Sequence, residues 1–196
     1  MLALIMAGGG GTRLGMGEKP LVTICGRPMV RYVIEAFEQA GHEAVVVASP
    51  KTPFTRNWCT AHSIPFIAAE GRGYVEDLVE AVEELGECAP LFTCVSDLPC
   101  LTSGIIARIG EEYARSGNDA LSTWVPLSIC RQYTCRTSYV EAIGGREVCP
   151  AGINVLRGEY ITEEQDEYRL VITERRIAFN VNTREELQAV RQYLCR

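Results

Sequence analysis

Short apolar runs alternate with amphipathic stretches along most of the chain, the pattern of a mostly parallel sheet covered by helices. Apolar runs at 2–6, 43–48, 64–68, 91–96 and 120–125 predict strands. Between them, Pro28 suits a first helical turn, and Val30, Val33, Ile34 and Phe37 follow at helical spacing until Gly41. A second stripe is formed by Val75, Leu78, Val79, Val82 and Leu85, and a third helix spans about 102–115. Thr183 with Glu186 three residues on reads as a capping box, opening a last helix that turns Leu187, Val190 and Leu194 inward. The alternation loosens over 127–149, which holds Gly144 and Gly145 and no clean period. Such a late insertion either lies over the carboxyl ends of the strands, where ligands bind in this architecture, or is a solvated excursion. Neither a repeat nor a linker interrupts the chain. The expectation is one three-layer, Rossmann-like α/β domain over 1–196, its mostly parallel sheet covered by helices on both faces.

A chain of 196 residues, 47% hydrophobic and 22% charged, is long enough to bury a sizeable core and too apolar for disorder. Its net charge of −6 argues against nonspecific nucleic-acid binding, which needs a basic face. No apolar run approaches the roughly 20 residues of a membrane span. The opening run is too short for a signal-peptide core and has no basic segment before it, so a cytoplasmic protein is expected. Nine cysteines stand without a single CxxC, which disfavours structural zinc, and the odd count disfavours a disulfide framework. They are expected to be reduced thiols that pack as small hydrophobes.

The sharpest chemical signal is Ala7-Gly8-Gly9-Gly10-Gly11-Thr12-Arg13-Leu14-Gly15, directly after the first strand. Four consecutive glycines cost chain entropy, and what they permit is close approach of backbone N–H groups to an anion. Arg13 adds a planar cationic fork suited to phosphate oxygens, and Lys19 a second cation. A P-loop is excluded because Gly15 is followed by Met16 and not by Lys and Ser or Thr. A dinucleotide fingerprint is excluded because its third glycine would fall on Arg13 or Leu14, and no acid closes the second strand.

With Lys19-Pro20-Leu21 following, this loop resembles the signature of the sugar-nucleotidyltransferase-like, MobA-like NTP transferase superfamily. The resemblance implies a nucleotide-diphospho-sugar transferase-like fold and transfer of a nucleotidyl group from a nucleoside triphosphate to a phosphorylated acceptor. It also implies a magnesium-binding aspartate at the end of the fourth strand, where Val95-Ser96-Asp97-Leu98-Pro99 places Asp97. Magnesium favours carboxylate and phosphate oxygens and keeps most of its waters, so one or two protein ligands suffice. Asp97 is otherwise a turn residue before Pro99. In Phe179-Asn180-Val181-Asn182-Thr183 a residue completes the metal shell in relatives. Both asparagines are candidates, with Asn180 preferred because Asn182 can serve the helix start.

Gly71-Arg72-Gly73-Tyr74-Val75-Glu76-Asp77-Leu78 and Pro150-Ala151-Gly152-Ile153-Asn154-Val155 are similar to blocks of archaeal GTP:adenosylcobinamide-phosphate guanylyltransferases. The similarity runs almost the whole chain and is weakest across 127–149, the expected acceptor side. It implies GTP and adenosylcobinamide phosphate as substrates, no nucleic-acid or membrane partner, and leaves a homodimer open. Glu76 or Asp77 is a candidate acceptor for guanine N1–H and its amine, or else a first-turn carboxylate favourable to the helix dipole. Gly71 and Gly73 let backbone approach the base, and Gly152 leaves room at the ribose or acceptor.

The implied roles put Arg13, Lys19 and Asp97 in catalysis. Ala7, Gly8, Gly9, Gly10, Gly11, Thr12, Arg13, Lys19, Gly71, Gly73, Glu76, Asp77 and Gly152 bind nucleotide, and Asp97 and Asn180 hold Mg2+. The acceptor phosphate is already anionic, so no general base is expected, and His42 and His62 lie away from the motifs. Rival readings are a molybdenum-cofactor guanylyltransferase, a sugar-1-phosphate or other small-phosphate nucleotidyltransferase, and a catalytically silent nucleotide-binding regulator. Against the last stands the joint presence of Arg13, Lys19 and Asp97.

Overall fold

The apolar runs of the first hundred residues become the parallel part of one sheet. The computed structural model describes residues 1–11, 14–132 and 139–195. In chain order it runs β1 (Leu2–Met6), β2 (Thr23–Ile24), β3 (Arg27–Pro28), α1 (Met29–Gln39), β4 (Glu43–Ala48), α2 (Pro53–Ala61), β5 (Phe66–Ala68), α3 (Tyr74–Leu85) and β6 (Pro90–Val95). It continues with α4 (Ser103–Ser116), β7 (Ala120–Pro126), α5 (Leu127–Gln132), β8 (Glu141–Ile143), β9 (Arg146–Arg157), β10 (Glu167–Val171) and α6 (Arg184–Leu194). The sheet order is β10-β7-β9-β6-β1-β4-β5, with β8 on β9, while β2 and β3 form a separate hairpin. β1 pairs in parallel with β4 and β6, β4 with β5, and β7 with β10. β9 is antiparallel to both β6 and β7, so the sheet is mixed and mostly parallel.

The two faces are covered unequally. On one, α1, α4 and α5 press Val33, Phe37, Ile106, Ile109 and Leu127 onto Ile5, Phe92, Ile153 and Val155. Phe37 and Phe92 are both fully buried with ring centroids 5.4 Å apart, a contact whose truncation to Ala costs about 3–5 kcal/mol. On the other face α3 sets Leu78, Ala81 and Val82 against Leu4, Met6, Val45, Val47 and Leu91. The expected apolar stripe of α3 is therefore corrected. Val75 and Leu85 are 64% and 40% exposed, whereas Asp77 is buried. The helix turns its inner face to suit Asp77, whose partners lie in the loop before it.

The stretch 127–149 is less of an excursion than its composition suggests. It holds α5, β8 and the start of β9, and Gly144 and Gly145, with φ of 56° and 77°, make the hairpin turn between the strands. Val148 and Cys149 are buried there. Residues 133–138, on which part of the expected acceptor contact falls, lie outside the described residues. α2, β9 and β10 were not expected as elements.

α6 opens on the predicted capping box, in which Thr183 accepts from the Glu186 amide and Glu186 reaches back. It packs Leu187 and Val190 against Leu14, Val22, Ile24 and Met29, tying the end of the chain to the segment after the glycine loop. A disulfide between Cys25 and Cys195 fixes that contact, with Cα atoms 5.6 Å apart. The expectation of reduced thiols is thus wrong for these two. No local spacing announces a pair 170 residues apart; the packing of α6 on the β2–β3 hairpin creates it. Cys59, Cys94 and Cys100 are buried free thiols, as expected.

Cys25→Ser, or reduction of the wild type, is expected to lower the denaturant midpoint, with a limit of about 5 kcal/mol for a loop of this length. Chemical denaturation with and without reductant checks it, and identical curves would show that the link contributes nothing.

Candidate functional site

The carboxyl ends of β1, β4 and β6 open onto a cavity of about 320 Å³, and the glycine loop forms its rim. The Ala7 amide donates to Val47 O at 2.8 Å, so Ala7 is a last rung of the sheet and not an amide donor to a ligand. Gly8 and Gly9 line the cavity. At Gly8 a side chain would come within 3.1 Å of the Ser49 side chain and 3.3 Å of Asp77 Oδ2. Gly11 has φ of 58°, and a Cβ there would lie 2.7 Å from Lys19 Cβ, so only glycine lets the lysine segment fold under the loop. Gly10 is exposed; Thr12 and Arg13 lie outside the described residues.

At the floor, Lys19 Nζ pairs with Asp97 Oδ2 and donates to Asn182 Oδ1 at 2.6 Å. Asp97 sits just past β6, is 9% exposed, and its Oδ1 is buried without a hydrogen-bond partner. Its backbone carbonyl accepts from Val181 at 3.0 Å, which brings the asparagine segment alongside. Burial pushes the Asp97 carboxyl above the usual carboxylate range; Lys19 draws it back down, and Glu186 adds to the rise. Asn182 donates to Asn180 Oδ1 at 2.6 Å, so the two asparagines do share a face. Asn182 contacts the lysine, while Asn180, the metal candidate preferred from the sequence, stands one hydrogen bond further out. The side chain capping the helix is that of Thr183, which leaves Asn182 for the site.

The donor set suits a hard cation. Asp97 Oδ2 and Asn182 Oδ1 converge on the Lys19 ammonium, and a carboxylate and an amide oxygen are ligands of the kind magnesium takes. Asp97 and Asn182 are the residues placed to hold it.

Asp77 and the 71–73 turn build the opposite wall. Asp77 Oδ1 accepts from the Gly71 and Arg72 amides, each at 3.0 Å, while Oδ2 faces Gly8. Gly71 has φ of 77° and packs against Ser49 and Pro50. Asp77, Gly71 and Gly73 line the cavity. Glu76 is exposed and folds back over Gly73, so it is removed from the cavity wall. Gly152 has φ of 82°, but the space it leaves is taken by Val95, 2.7 Å from where its Cβ would stand. Its role is close strand packing beside Asp97 and not room for ribose or acceptor. His42 packs at a tilt against Phe92 and His62 stacks on Trp58, apart from the cavity as expected.

Sequence reasoning missed three contributors. Lys51 lines the cavity and donates from Nζ to Gly71 O at 2.9 Å. Tyr74 also lines it; its hydroxyl meets Thr93 Oγ1 at 2.9 Å and is pushed up to about 12 by burial, with Asp97 adding to the rise. Glu18 acts from outside. Its carboxylate accepts from Phe54 N–H at 2.7 Å and from Thr55 N–H and Oγ1 at 2.6 Å, capping α2, whose own N-cap Thr52 is engaged with Ser49. The neighbour of Lys19 is thereby clamped to the helix that follows Ser49 and Lys51. No spacing in the sequence signals a cap supplied from 36 residues away.

The sequence profile of the MobA-like NTP transferase domain matches residues 3–143. The chain is 34% identical to an adenosylcobinamide-phosphate guanylyltransferase from Methanocaldococcus jannaschii, over 99% of this chain and 97% of that one. It is 29% identical to a probable molybdenum cofactor guanylyltransferase from Thermococcus kodakarensis, covering 96% and 92% of the two chains. In structure it is similar to molybdopterin-guanine dinucleotide biosynthesis protein A from Archaeoglobus fulgidus, with a TM-score of 0.69 at 16% identity, over 100% and 98% of the chains. That likeness speaks for the fold.

Two predictions follow from the floor and its clamp. Even with Lys19 counted, the net surroundings disfavour the charged form of Asp97, and the folded protein takes up a proton there at higher pH than the unfolded chain does. Stability from this group therefore rises as pH falls through its raised pKa. Asp97→Asn should melt no lower than wild type at neutral pH while turnover drops about a hundredfold or more; a collapsed melt with intact turnover would make Asp97 structural. Glu18→Ala should cost about 1–2 kcal/mol in denaturant unfolding through the lost cap and also lower kcat. A stability loss at unchanged kcat would confine Glu18 to capping.

Proposed function

The chain belongs to the MobA-like NTP transferase family, and we propose that it transfers GMP from GTP to adenosylcobinamide phosphate, giving adenosylcobinamide-GDP and pyrophosphate. The observation that carries the reading is the Lys19–Asp97 pair beneath the glycine loop, in a chain that resembles the M. jannaschii guanylyltransferase from end to end. A cytoplasmic location fits a reaction that consumes GTP, and among the described residues no helix is long and apolar enough to cross a membrane.

The reaction is an in-line displacement at the α-phosphorus. An oxygen of the acceptor phosphate forms the new P–O bond as the bond to pyrophosphate breaks. The attacking oxygen is already charged, so positioning and charge neutralisation supply the catalysis. Amides of the glycine loop, together with Arg13, face the β- and γ-phosphates. Lys19, with three rotatable donors, exchanges its contacts with Asp97 and Asn182 for the α-phosphate when GTP enters. Asp97 and Asn182 would hold Mg2+, which would supply charge neutralisation to the triphosphate. Asp77 is the carboxylate in the wall for guanine N1–H and its amine, an edge on which adenine offers no such donor pair.

A molybdenum-cofactor guanylyltransferase is the second reading, favoured by the T. kodakarensis relative. Pyrophosphate release from GTP and Mg2+ with each candidate acceptor separates the two: turnover is expected with adenosylcobinamide phosphate and not with the pterin phosphate, and the converse would reverse the assignment. In calorimetric titration GTP should bind at least about tenfold tighter than ATP, roughly 1.4 kcal/mol. Equal affinities would remove the guanine assignment.

A further inference from the structure

α3 covers only half of its face of the sheet. Its buried residues pack over β1, β4, β5 and β6, whereas towards β9 and β10 the same face borders a cavity lined by Asn154, Leu156 and Arg169. Register sets Thr93 of β6 beside Asn154 of β9, Asn154 beside Ser122 of β7, and Ser122 beside Arg169 of β10. Partners in register share a face, so these four side chains form a polar row across four strands.

Between that row and α3 lies a second cavity of about 780 Å³, more than twice the 320 Å³ of the first. Tyr74 lines both, and its hydroxyl bonds Thr93 at the end of the row, so the cavities adjoin across one side chain. An apolar strip runs along it, with Val75 and Val79 on α3 and Leu156 and Ile161 beyond. Val75 is 64% exposed there. The rim carries Glu163, Glu164, Asp166 and Glu167. The lining cation, Arg169, is already paired with Glu141 and Glu167.

A polyphosphate is the wrong occupant for such a rim, since carboxylates repel it and no cation is spare among the lining residues. A broad ring with apolar faces, a positive metal centre and primary amides around its edge is the right one. Its faces lie against Val75, Val79, Leu156 and Ile161, its amide N–H groups find the rim carboxylates, and Asn154 meets amides from below. A corrinoid has this chemistry, and its phosphate ends a flexible side chain. We propose that the corrin ring of the acceptor seats in this second cavity, while its phosphate passes Tyr74 to reach the nucleotide cavity. The proposal rests on the acceptor reading above. It places the ring against α3 and the strands beside it and not on the 127–149 segment.

The test uses Val75→Arg, which fills the apolar wall from an exposed position, and Glu164→Lys, which inverts the rim; either decides if the other fails to fold. Acceptor KM is measured in pyrophosphate release, GTP affinity by calorimetry and mass by sedimentation. Acceptor KM should rise about tenfold or more while the GTP dissociation constant stays within about twofold. Adenosylcobinamide without the phosphate should compete with the acceptor and not with GTP. A wild type inert towards adenosylcobinamide phosphate overturns the acceptor reading and this proposal together. Normal wild-type turnover with unchanged acceptor KM in both variants overturns the proposal alone. So does a loss of GTP affinity equal to that of the acceptor, or a change of oligomeric state in the variants, which would give the groove to a second copy of the chain.

Discussion

A buried carboxylate with one oxygen unpartnered among the described residues is expensive, and the site is arranged around that cost. Asp97 is tolerated just past β6 because Lys19 stands against its other oxygen. Lys19 reaches that place only because Gly11 leaves room for its backbone and Glu18 pins the residue before it to α2. Asn182 is brought to the same lysine by the Val181 amide on the Asp97 carbonyl, while Glu186 accepts from the Asn182 and Thr183 amides at 2.7 and 2.8 Å. Three distant segments therefore meet at one ammonium group.

What the sequence displays well is whatever repeats locally. The first two strands fall on their expected residues, and the box at Thr183 and Glu186 forms as written, because burial periodicity and capping are short-range properties. What it hides is orientation and long-range pairing. The apolar period of α3 mispredicted Val75 and Leu85 because an acid, Asp77, claims part of the inner face for the turn before the helix. α2 escaped notice since its first amides are capped from Glu18 and its Phe54 is 68% exposed. β9 lies antiparallel between β6 and β7, and no local period reports on the partner of a strand. Among the site residues, the glycine loop and Asp97 were legible, whereas Lys51, Tyr74 and the precedence of Asn182 depend on side-chain direction.

The two cavities differ in character as sharply as in size. The first is walled by glycine backbone, Lys19 and Lys51, with Asp77 and Asp97 already engaged by amides or ammonium. The second sets an apolar strip, Val75, Val79, Leu156 and Ile161, against polar strand residues and an acidic rim. A group-transfer enzyme that must admit a highly charged donor and a bulky acceptor gains from keeping them apart until the phosphorus is reached, since neither then competes for the other's ground. Tyr74, whose hydroxyl stays protonated well beyond neutral pH, is the partition.

The bond between Cys25 and Cys195 changes what kind of molecule this is topologically. From one cysteine to the other the polypeptide is a closed ring, and the first strand with its glycine loop is a short tail leaving it. A single protease cut anywhere within the ring, the 133–138 stretch included, leaves one covalent molecule whose halves stay in register. Only a cut between β1 and the hairpin can release the strand that carries the glycine loop.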